Sequence, residues 1–329
     1  MRRIYLIIGI IVILLFTALS CKSTSKSEKI KIGVSDWPGW VAWYIGKEKG
    51  FFDEEGVNVE LVWFNTYSDS INALATGNLD ANSQTLSDTI PSLAKGIPLK
   101  IILVNDNSFG NDAIVARKDI KNISDLKGKR IAVEVGAIDH FLLLYILNKN
   151  GITDKDINII NMTTQDAAVA LMQEKVDAAA IWEPWITKIL NEKKGHIIAS
   201  SKDTPGLVPD LLVARTESLN KKREAFVKLS KCWFKIVDFI NKNPNEATSI
   251  MAKVVNVPPE EFKKMLSGIK LFGYDENIKA FSSDYSNNYS LYISGKLISE
   301  FLQKIKSIEK IPDLTNSIDS EIIQRSKTK

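Results

Sequence analysis

Apolar and polar positions follow one order along most of the chain, in which a short apolar run precedes a segment with helical spacing. The apolar runs Ile30–Val34 and Val57–Phe64 are typical of strands, and they flank Val41–Lys49, whose apolar residues recur at helical intervals. The same order returns between residues 130 and 192, and from 219 to about 310 only helical spacing remains. Alternating strands and helices predict parallel sheets with helices on their faces. We therefore predict an α/β fold that ends in a helical segment.

The two halves of this pattern share sequence. Three pairs of segments lie 97 to 99 residues apart and in the same order along the chain. The pairs are Ala73–Ala81 with Ala170–Ala178, Asp112–Arg117 with Asp210–Arg215, and Ile32–Val34 with Ile131–Val133. One shared offset predicts two lobes of similar design, and a chain of this length suits two hydrophobic cores.

The repeat also predicts how the lobes divide the chain. We assign residues 30–112 to the first part of lobe one, 113–210 to lobe two, and 211–310 to a return into lobe one with the C-terminal helices. Residues 311–329 form a polar tail that we expect to be loosely held. If both repeated Asp-x-x-Val-Ala-Arg segments are strands that pass between the lobes, they form a two-strand hinge that permits closure. The alternative is two ordinary edge strands.

The amino terminus has the features of an export signal. Arg2 and Arg3 precede an apolar run from Ile4 to Phe16, which is shorter than the roughly 20 residues needed to span a bilayer. Cys21 resembles the lipidated first residue of a mature bacterial lipoprotein. We predict a signal peptide over 1–20, lipidation at Cys21 and a tether over 21–29; the alternative is an uncleaved anchor helix. Either one places the globular part outside the cytoplasm, anchored to a membrane in the periplasm or on the outer face of the cell.

Composition excludes several classes of partner. The formal net charge of +4 falls to +2 when Arg2 and Arg3 leave with the signal, which is too small to indicate a nucleic-acid partner. The chain has two histidines and two cysteines and no cluster of either, so we expect no metal centre and no cofactor. We expect a monomer.

Four of the seven tryptophans lie in two tetrapeptides, Trp37-Pro38-Gly39-Trp40 and Trp182-Glu183-Pro184-Trp185. Each tetrapeptide begins where a predicted strand ends, and an aromatic ring at a strand end suits a small-molecule site. Core packing is the alternative for any one of them. We expect Trp37 and Trp182 to contact a ligand, and Trp40 and Trp185 to pack as supports.

Several stretches resemble one family, the substrate-binding proteins of ABC importers for nitrate, sulfonates, taurine and thiamine pyrimidine precursors. The similarity covers roughly residues 30–250. It rests on Trp43–Phe52, Glu55–Val59, Ala75–Ala81, Asp125–Ala132 and Val176–Pro184. The resemblance implies a bilobed periplasmic-binding-protein fold (type II-like), a ligand in the cleft between the lobes, and delivery to a membrane permease with its ATPase.

In open parallel sheets, ligands bind beyond the carboxyl ends of the strands. This rule, with the turns that follow the predicted strands, gives the candidate ligand-binding residues. They are Asp36, Trp37, Pro38, Gly39, Thr85, Asp88, Asp106, Ser108, Gly136, Ala137, His140, Trp182 and Glu183. Thr85 and Trp182 are equivalent in the repeat, so both should face the cleft. Gly136-Ala137 opens a helix whose free N–H groups suit an anion, or else forms a plain turn. His140 is either a ligand contact or a partner of a nearby backbone group.

The candidate turns are acidic. They and the residues just after them hold Asp36, Asp88, Asp106, Asp112, Glu134 and Glu183, with no lysine or arginine before Arg117. A site for a small anion normally gathers Arg, Lys or several N–H donors. We therefore expect a ligand with an amine, or a polar ring stacked on Trp37, rather than a bare anion. Glu183 has an alternative role in the turn or in lobe closure.

Other functional classes remain to be weighed. Some relatives make a thiamine pyrimidine with a cluster of cysteines and a histidine, which this chain lacks, and it has no nucleophile elbow, phosphate loop or zinc-protease helix. We therefore predict a binding protein and not an enzyme. A receptor that reports its ligand to a sensor protein is a further alternative.

Overall fold

Strands of the described residues form two sheets. The computed structural model describes residues 28–283 and 289–327, so the predicted signal peptide and Cys21 lie outside the described residues. The strands are β1 Ile30–Val34, β2 Val59–Trp63, β3 Ala81–Thr85, β4 Leu99–Ser108, β5 Asp112–Ala116, β6 Arg130–Val133, β7 Asn158–Asn161, β8 Ala178–Trp182, β9 His196–Ser200, β10 Pro209–Arg215 and β11 Ile269–Leu271.

Both sheets are mixed rather than mainly parallel. The first sheet has the order β11-β4-β10-β3-β1-β2, with β1 parallel to β2 and β3 and with β10 antiparallel to β3 and β4. The second has the order β7-β6-β8-β5-β9, with β6 parallel to β7 and β8 and with β5 antiparallel to β8 and β9. The prediction of parallel-rich sheets is corrected on this point. The antiparallel pairs arise because β5 and β10 each enter from the other lobe and run against the strands already there.

Two segments cross between the sheets side by side. The first joins β4 to β5 between Ser108 and Asp112, and the second leads from a short turn at Ser201–Asp203 to β10. The Ser108 and Ser201 hydroxyl oxygens are 2.8 Å apart, and the Gly110 N–H donates to Ser201 Oγ over 2.6 Å. The repeated Asp-x-x-Val-Ala-Arg segments thus become central strands, each starting directly after a crossing.

The sheets are covered by helices. They are α1 Trp43–Glu48, α2 Phe51–Glu54, α3 Tyr67–Ala75, α4 Leu86–Ala94, α5 Ile138–Lys149, α6 Thr164–Met172, α7 Trp185–Asn191, α8 Thr216–Lys221, α9 Arg223–Lys242, α10 Pro244–Val254, α11 Pro259–Leu266, α12 Tyr274–Ala280, α13 Leu291–Lys304, α14 Leu314–Ser317 and α15 Ser320–Arg325. No helix among residues 28–283 and 289–327 is long and apolar enough to cross a membrane.

Burial explains why β8 is a continuous apolar run. Ala178 and Ala180 face one hydrophobic cluster of lobe two, and Ala179 and Ile181 face the cluster on the other side of the sheet. A strand covered on both faces needs apolar residues at every position. The run ends at Trp182, which therefore emerges at the edge of the sheet that faces lobe one.

The tail is packed, so the expectation that it is loosely held is wrong for residues 311–327. Ile322 and Ile323 of α15 are fully buried, and Ile318 forms a parallel bridge with Ile101 of β4. Arg223 Nη2 donates to Asp319 Oδ2 over 2.7 Å. A few isoleucines set among polar residues are enough to hold a short segment against a core, because each buries one full side chain.

Candidate functional site

The lobes are closed against each other. Asp36, after β1 in lobe one, accepts hydrogen bonds from Trp182 Nε1 at 3.0 Å and from Trp185 Nε1 at 2.9 Å, both in lobe two. Nearby, the Ser68 N–H at the start of α3 donates to Glu134 Oε1 over 3.0 Å. The Tyr67 ring also meets the Trp182 ring edge to face, with centroids 5.7 Å apart.

Closure leaves a small enclosed cavity between the sheets. It has room for about one water molecule, ≈ 10 Å³ for its centre. The lining residues come from both lobes, and none of them carries a positive charge. They are Trp37, Trp40, Tyr67, Thr85, Asp112, Ile138, Trp182 and Asp210.

The wall from lobe one begins at the end of β1. Trp37 Nε1 donates to Asp106 Oδ1 over 3.1 Å, which holds the indole ring against the cavity. Gly39 is required here, because a Cβ at this position would lie 1.9 Å from Asp106 Oδ2. The Trp40 ring follows, 6.2 Å from the Trp37 ring and 5.1 Å from the ring of Tyr67.

Tyr67, Thr85 and Asp88 form a buried hydrogen-bonded triangle. The Tyr67 hydroxyl donates to Asp88 Oδ2 at 2.8 Å and accepts from the Thr85 N–H at 3.0 Å. Thr85 Oγ1 donates to the same carboxylate oxygen over 2.8 Å. Burial raises the pKa of Asp88 to about 7 despite these donors, and the nearby Glu134 charge adds to the effect.

A second group of buried carboxyls lies where β4, β5 and β10 meet. Burial raises the pKa of Asp106 and of Asp112 to about 7. It also raises the pKa of Asp210, which faces Asp106 and Asp112, and the pKa of Asp139 in α5, well above the ordinary value. No lysine, arginine or histidine of the described residues forms an ion pair with any of these carboxyls.

Several carboxylate oxygens have no hydrogen-bond partner among the described residues. They are Oδ2 of Asp112, Oδ2 of Asp210 and both oxygens of Asp139. Buried polar atoms are nearly always paired, because leaving one unpaired costs about 1–3 kcal/mol. The Asp112 and Asp210 side chains line the cavity, so their free oxygens are available to a ligand inside it.

The predicted site residues divide into three groups. Trp37, Thr85 and Trp182 line the cavity, as expected from the ends of their strands. Asp36, Asp88 and Asp106 lie one hydrogen bond behind those residues, and the buried Pro38 and Gly39 shape the turn between Trp37 and Trp40. The third group, Ser108, Gly136, Ala137, His140 and Glu183, does not line the enclosed cavity.

Each residue of the third group has a local role instead. Ser108 joins the two crossings through Ser201. The Gly136 N–H donates to His140 Nδ1 over 3.3 Å, so the histidine partners its own turn, and burial lowers its pKa. Gly136, Ala137 and His140 border a separate open space of ≈ 260 Å³. Glu183 accepts from the Thr187 N–H at 2.9 Å and from the Thr187 hydroxyl at 2.8 Å, which serves the first turn of α7.

Trp40 and Trp185, expected to pack as supports, each have a further contact. Trp40 lines the cavity, and its Nε1 has no partner among the described residues. Trp185 donates to Asp36 and borders an open groove of ≈ 520 Å³ between the lobes. Asp36 borders this groove as well. The hydrogen-bonded side chains of Asp36 and Trp182 therefore separate the groove from the cavity.

Sequence reasoning missed Tyr67, Ile138 and Asp210, and it counted Asp112 only as a charge. The signals were present for three of them. Tyr67 follows β2, so the rule of strand ends applies to it, and Asp112 and Asp210 hold the same place in the internal repeat. We find no pattern in the sequence that distinguishes Ile138 from the other apolar residues of α5.

Comparison with known proteins agrees with this architecture. Residues 37–247 match the sequence profile of the family described as NMT1/THI5 like. The taurine-binding periplasmic protein of Escherichia coli (strain K12) is 23% identical over 84% of this chain and 85% of its own length. The alkanesulfonate-binding protein SsuA of Xanthomonas axonopodis pv. citri, solved with MOPS, superposes with a TM-score of 0.76 at 16% identity, covering 90% of this chain and 99% of that one.

A Candida albicans protein, described as having the generic periplasmic binding protein fold, superposes with a TM-score of 0.73 at 13% identity over 89% of this chain and 96% of that one. The chain therefore has the bilobed fold predicted for it. It belongs to the NMT1/THI5-like family, because the family profile matches more than half of its length. The family resemblance inferred from the motifs is confirmed, and the Escherichia coli and Xanthomonas proteins are named as binding proteins rather than as enzymes.

Proposed function

We propose that this protein is the extracytoplasmic substrate-binding component of an ABC importer, which captures a small polar solute between its lobes and delivers it to a permease and its ATPase. Support comes from the closed pair of lobes around an enclosed cavity and from relatives named for binding taurine and alkanesulfonates. Two crossings side by side form a hinge of the kind that lets lobes close around a solute.

The solute we propose is a cation with N–H donors, in contrast to the anionic groups in the names of these relatives. The observation that carries this proposal is the set of buried carboxyls around the cavity, which have no basic partner among the described residues. A sulfonate or nitrate placed there would add a negative charge beside buried carboxylates. A cation would instead supply the opposite charge and the donors that these groups lack.

A binding experiment on the purified full chain tests the proposal. Thermal-shift and calorimetric titrations at pH 8 would compare nitrate, taurine and an alkanesulfonate with small organic amines as chloride salts. A ligand at 100 times its dissociation constant adds about 2.7 kcal/mol of stability, so binding is readily seen. We expect stabilisation by cations only; stabilisation by the anions alone would refute the ionic part of the proposal.

Two further proposals concern the absence of enzyme activity and the attachment to a membrane. We propose that the protein is not an enzyme, since Cys232 is buried with a pKa raised to about 12, and no cluster of His, Cys, Asp or Glu in the described ranges is suited to a metal ion. An enzyme of thiamine-pyrimidine synthesis and a sensor receptor are the alternatives, and the genes beside this one discriminate between importer and sensor.

We also propose that Cys21 carries a lipid that holds the monomeric protein at a membrane. Labelling of cells with a palmitate analogue should mark the protein, and Cys21→Ala should abolish the label and release the protein. A labelled Cys21→Ala variant would contradict this assignment.

A further inference from the structure

Two aspartates occupy matching positions on the opposite sides of the cavity. Asp112 opens β5 and is paired with Trp182 across the second sheet, while Asp210 near the start of β10 is paired with Thr85 across the first. Since Asp112 and Asp210 correspond in the internal repeat, and Thr85 and Trp182 do as well, the two pairs are equivalent sites of the two lobes. The fold thus brings one carboxyl from each lobe to the same enclosed space.

Each of these two carboxyls has one oxygen that could accept a hydrogen bond, and no described residue donates it. Both side chains are 1% exposed, both line the cavity, and Oδ2 of each has no hydrogen-bond partner among the described residues. The remaining contacts of the pair are with Ser108 for Asp112 and with the neighbouring carboxyl of Asp106 for Asp210. A hydrogen bond between two carboxyls needs a proton, so Asp106 and Asp210 together carry at most one negative charge.

Most of the remaining wall is aromatic. Trp37, Trp40, Tyr67 and Trp182 surround the space between the two carboxyls. Aromatic faces attract an organic cation by their negative quadrupole, most strongly when water is excluded. A metal ion would instead need several oxygen ligands, and no group of three or more His, Cys, Asp or Glu in residues 28–283 and 289–327 is arranged to hold one.

The space limits the size of the ligand. In this closed form the cavity has room for about one water molecule, ≈ 10 Å³ for its centre, so the lobes can close only around a ligand of a few non-hydrogen atoms, and then with the walls slightly further apart than here. A ligand of a few non-hydrogen atoms must therefore donate hydrogen bonds in two directions, one to each lobe. An alkylammonium concentrates its N–H groups at one end, whereas a planar amidinium or guanidinium carries them on several edges.

We propose that Asp112 and Asp210 form a clamp, one carboxyl from each lobe, for a compact planar cation of the amidinium or guanidinium class. The inference rests on the proposed function, because it specifies which cation the cleft takes. The ligand bridges the two crossing strands, so its binding energy is available only when the lobes are closed. Asp112 and Asp210 are then the residues that determine specificity.

Calorimetric titration of the full chain at pH 8 tests the clamp. The probes are guanidinium and acetamidinium at micromolar to millimolar concentration, with methylammonium and tetramethylammonium as cations of other shapes and sodium chloride to match ionic strength. We expect guanidinium or acetamidinium to bind at least ten times more tightly than the other cations. Tightest binding of an ammonium would overturn the shape assignment while leaving a cation as the solute, whereas binding of taurine or nitrate alone would overturn the proposed function too.

Variants test the two residues themselves. Asp112→Asn and Asp210→Asn should each weaken guanidinium binding by more than tenfold. Asp238→Asn, the same change at an exposed site of α9, should leave binding within twofold of the parent protein. The unliganded clamp variants should melt no lower than the parent, because each replaces a buried carboxyl, one oxygen of which has no partner, by a neutral group. Unchanged affinity in both clamp variants would overturn the assignment.

Discussion

The buried carboxyls predict that the unliganded protein loses stability as the pH rises from 5 to 8. Asp112 has an ordinary pKa of 3.8, which applies to the unfolded chain, and burial raises it to about 7 in the folded protein. Between these values the folded state holds a proton that the unfolded state has released. Stability therefore falls with rising pH through this range and levels off above the folded pKa.

The magnitude follows from the width of that range. One pKa unit corresponds to 1.36 kcal/mol, so a carboxyl shifted from 3.8 to about 7 contributes about 4 kcal/mol in total, of which about 2 kcal/mol falls between pH 5 and pH 7. Asp88 and Asp106 titrate in the same range, but the carboxyls interact, so their contributions are not additive. His140 acts in the opposite direction, because its pKa is lowered by burial.

Urea denaturation at pH 5, 6, 7 and 8 measures this dependence, with Asp112→Asn as the variant in which the group cannot titrate. We expect the free energy of unfolding to fall with pH in the parent protein and to fall less steeply in the variant. Saturation with the bound cation should flatten or reverse the dependence in the parent, because the cation favours the ionised carboxyls. Equal slopes in the parent and in Asp112→Asn, without ligand, would refute the reasoning.

The remaining predictions concern the cavity wall, the closure and the tail. Trp37→Ala and Trp182→Ala should each weaken ligand binding by roughly tenfold or more in calorimetry, through lost ring contact and burial, and unchanged affinity in both would remove these residues from the site. Asp36→Asn should speed ligand release in stopped-flow fluorescence, because a hydrogen bond to a charged group is worth about 1.5–3 kcal/mol and two of them bridge the lobes. Release at the parental rate would show that these bonds do not hold the lobes closed. Ile322→Ala should cost about 2–5 kcal/mol in urea denaturation, since its side chain is fully buried, whereas an unaffected midpoint would show that the tail contributes nothing to the fold.

Part of the site could be predicted from sequence because strand ends are local features. An apolar run such as Ala178–Trp182 and the turn after it are visible along the chain, and the fold rule assigns their carboxyl ends to the cleft. Trp37, Thr85 and Trp182 were found in this way. The same rule selected His140 and Glu183, which do not line the cavity. Each forms hydrogen bonds with a residue four positions away in the chain instead.

The internal repeat determined more than its individual segments. It indicated two lobes of similar design, and it placed two aspartates at equivalent positions, although it did not show what they face. The mixed sheets were not predicted, because the direction of β5 and β10 depends on which sheet each strand joins after the crossing. Apolar spacing indicates that a strand is buried, but it does not indicate which strand lies beside it in the sheet.

By itself the sequence determined the α/β pattern, the repeat, the family and the acidic character of the turns, since each of these depends on residue type and spacing. Only the tertiary structure decided that Asp112 and Asp210 share one enclosed space, that Asp36 of one lobe receives the two indoles of the other, and that the tail is packed. The physical reason is that hydrogen-bond partners and burial are properties of pairs of atoms in space. Residues about a hundred positions apart become such pairs only when the lobes close.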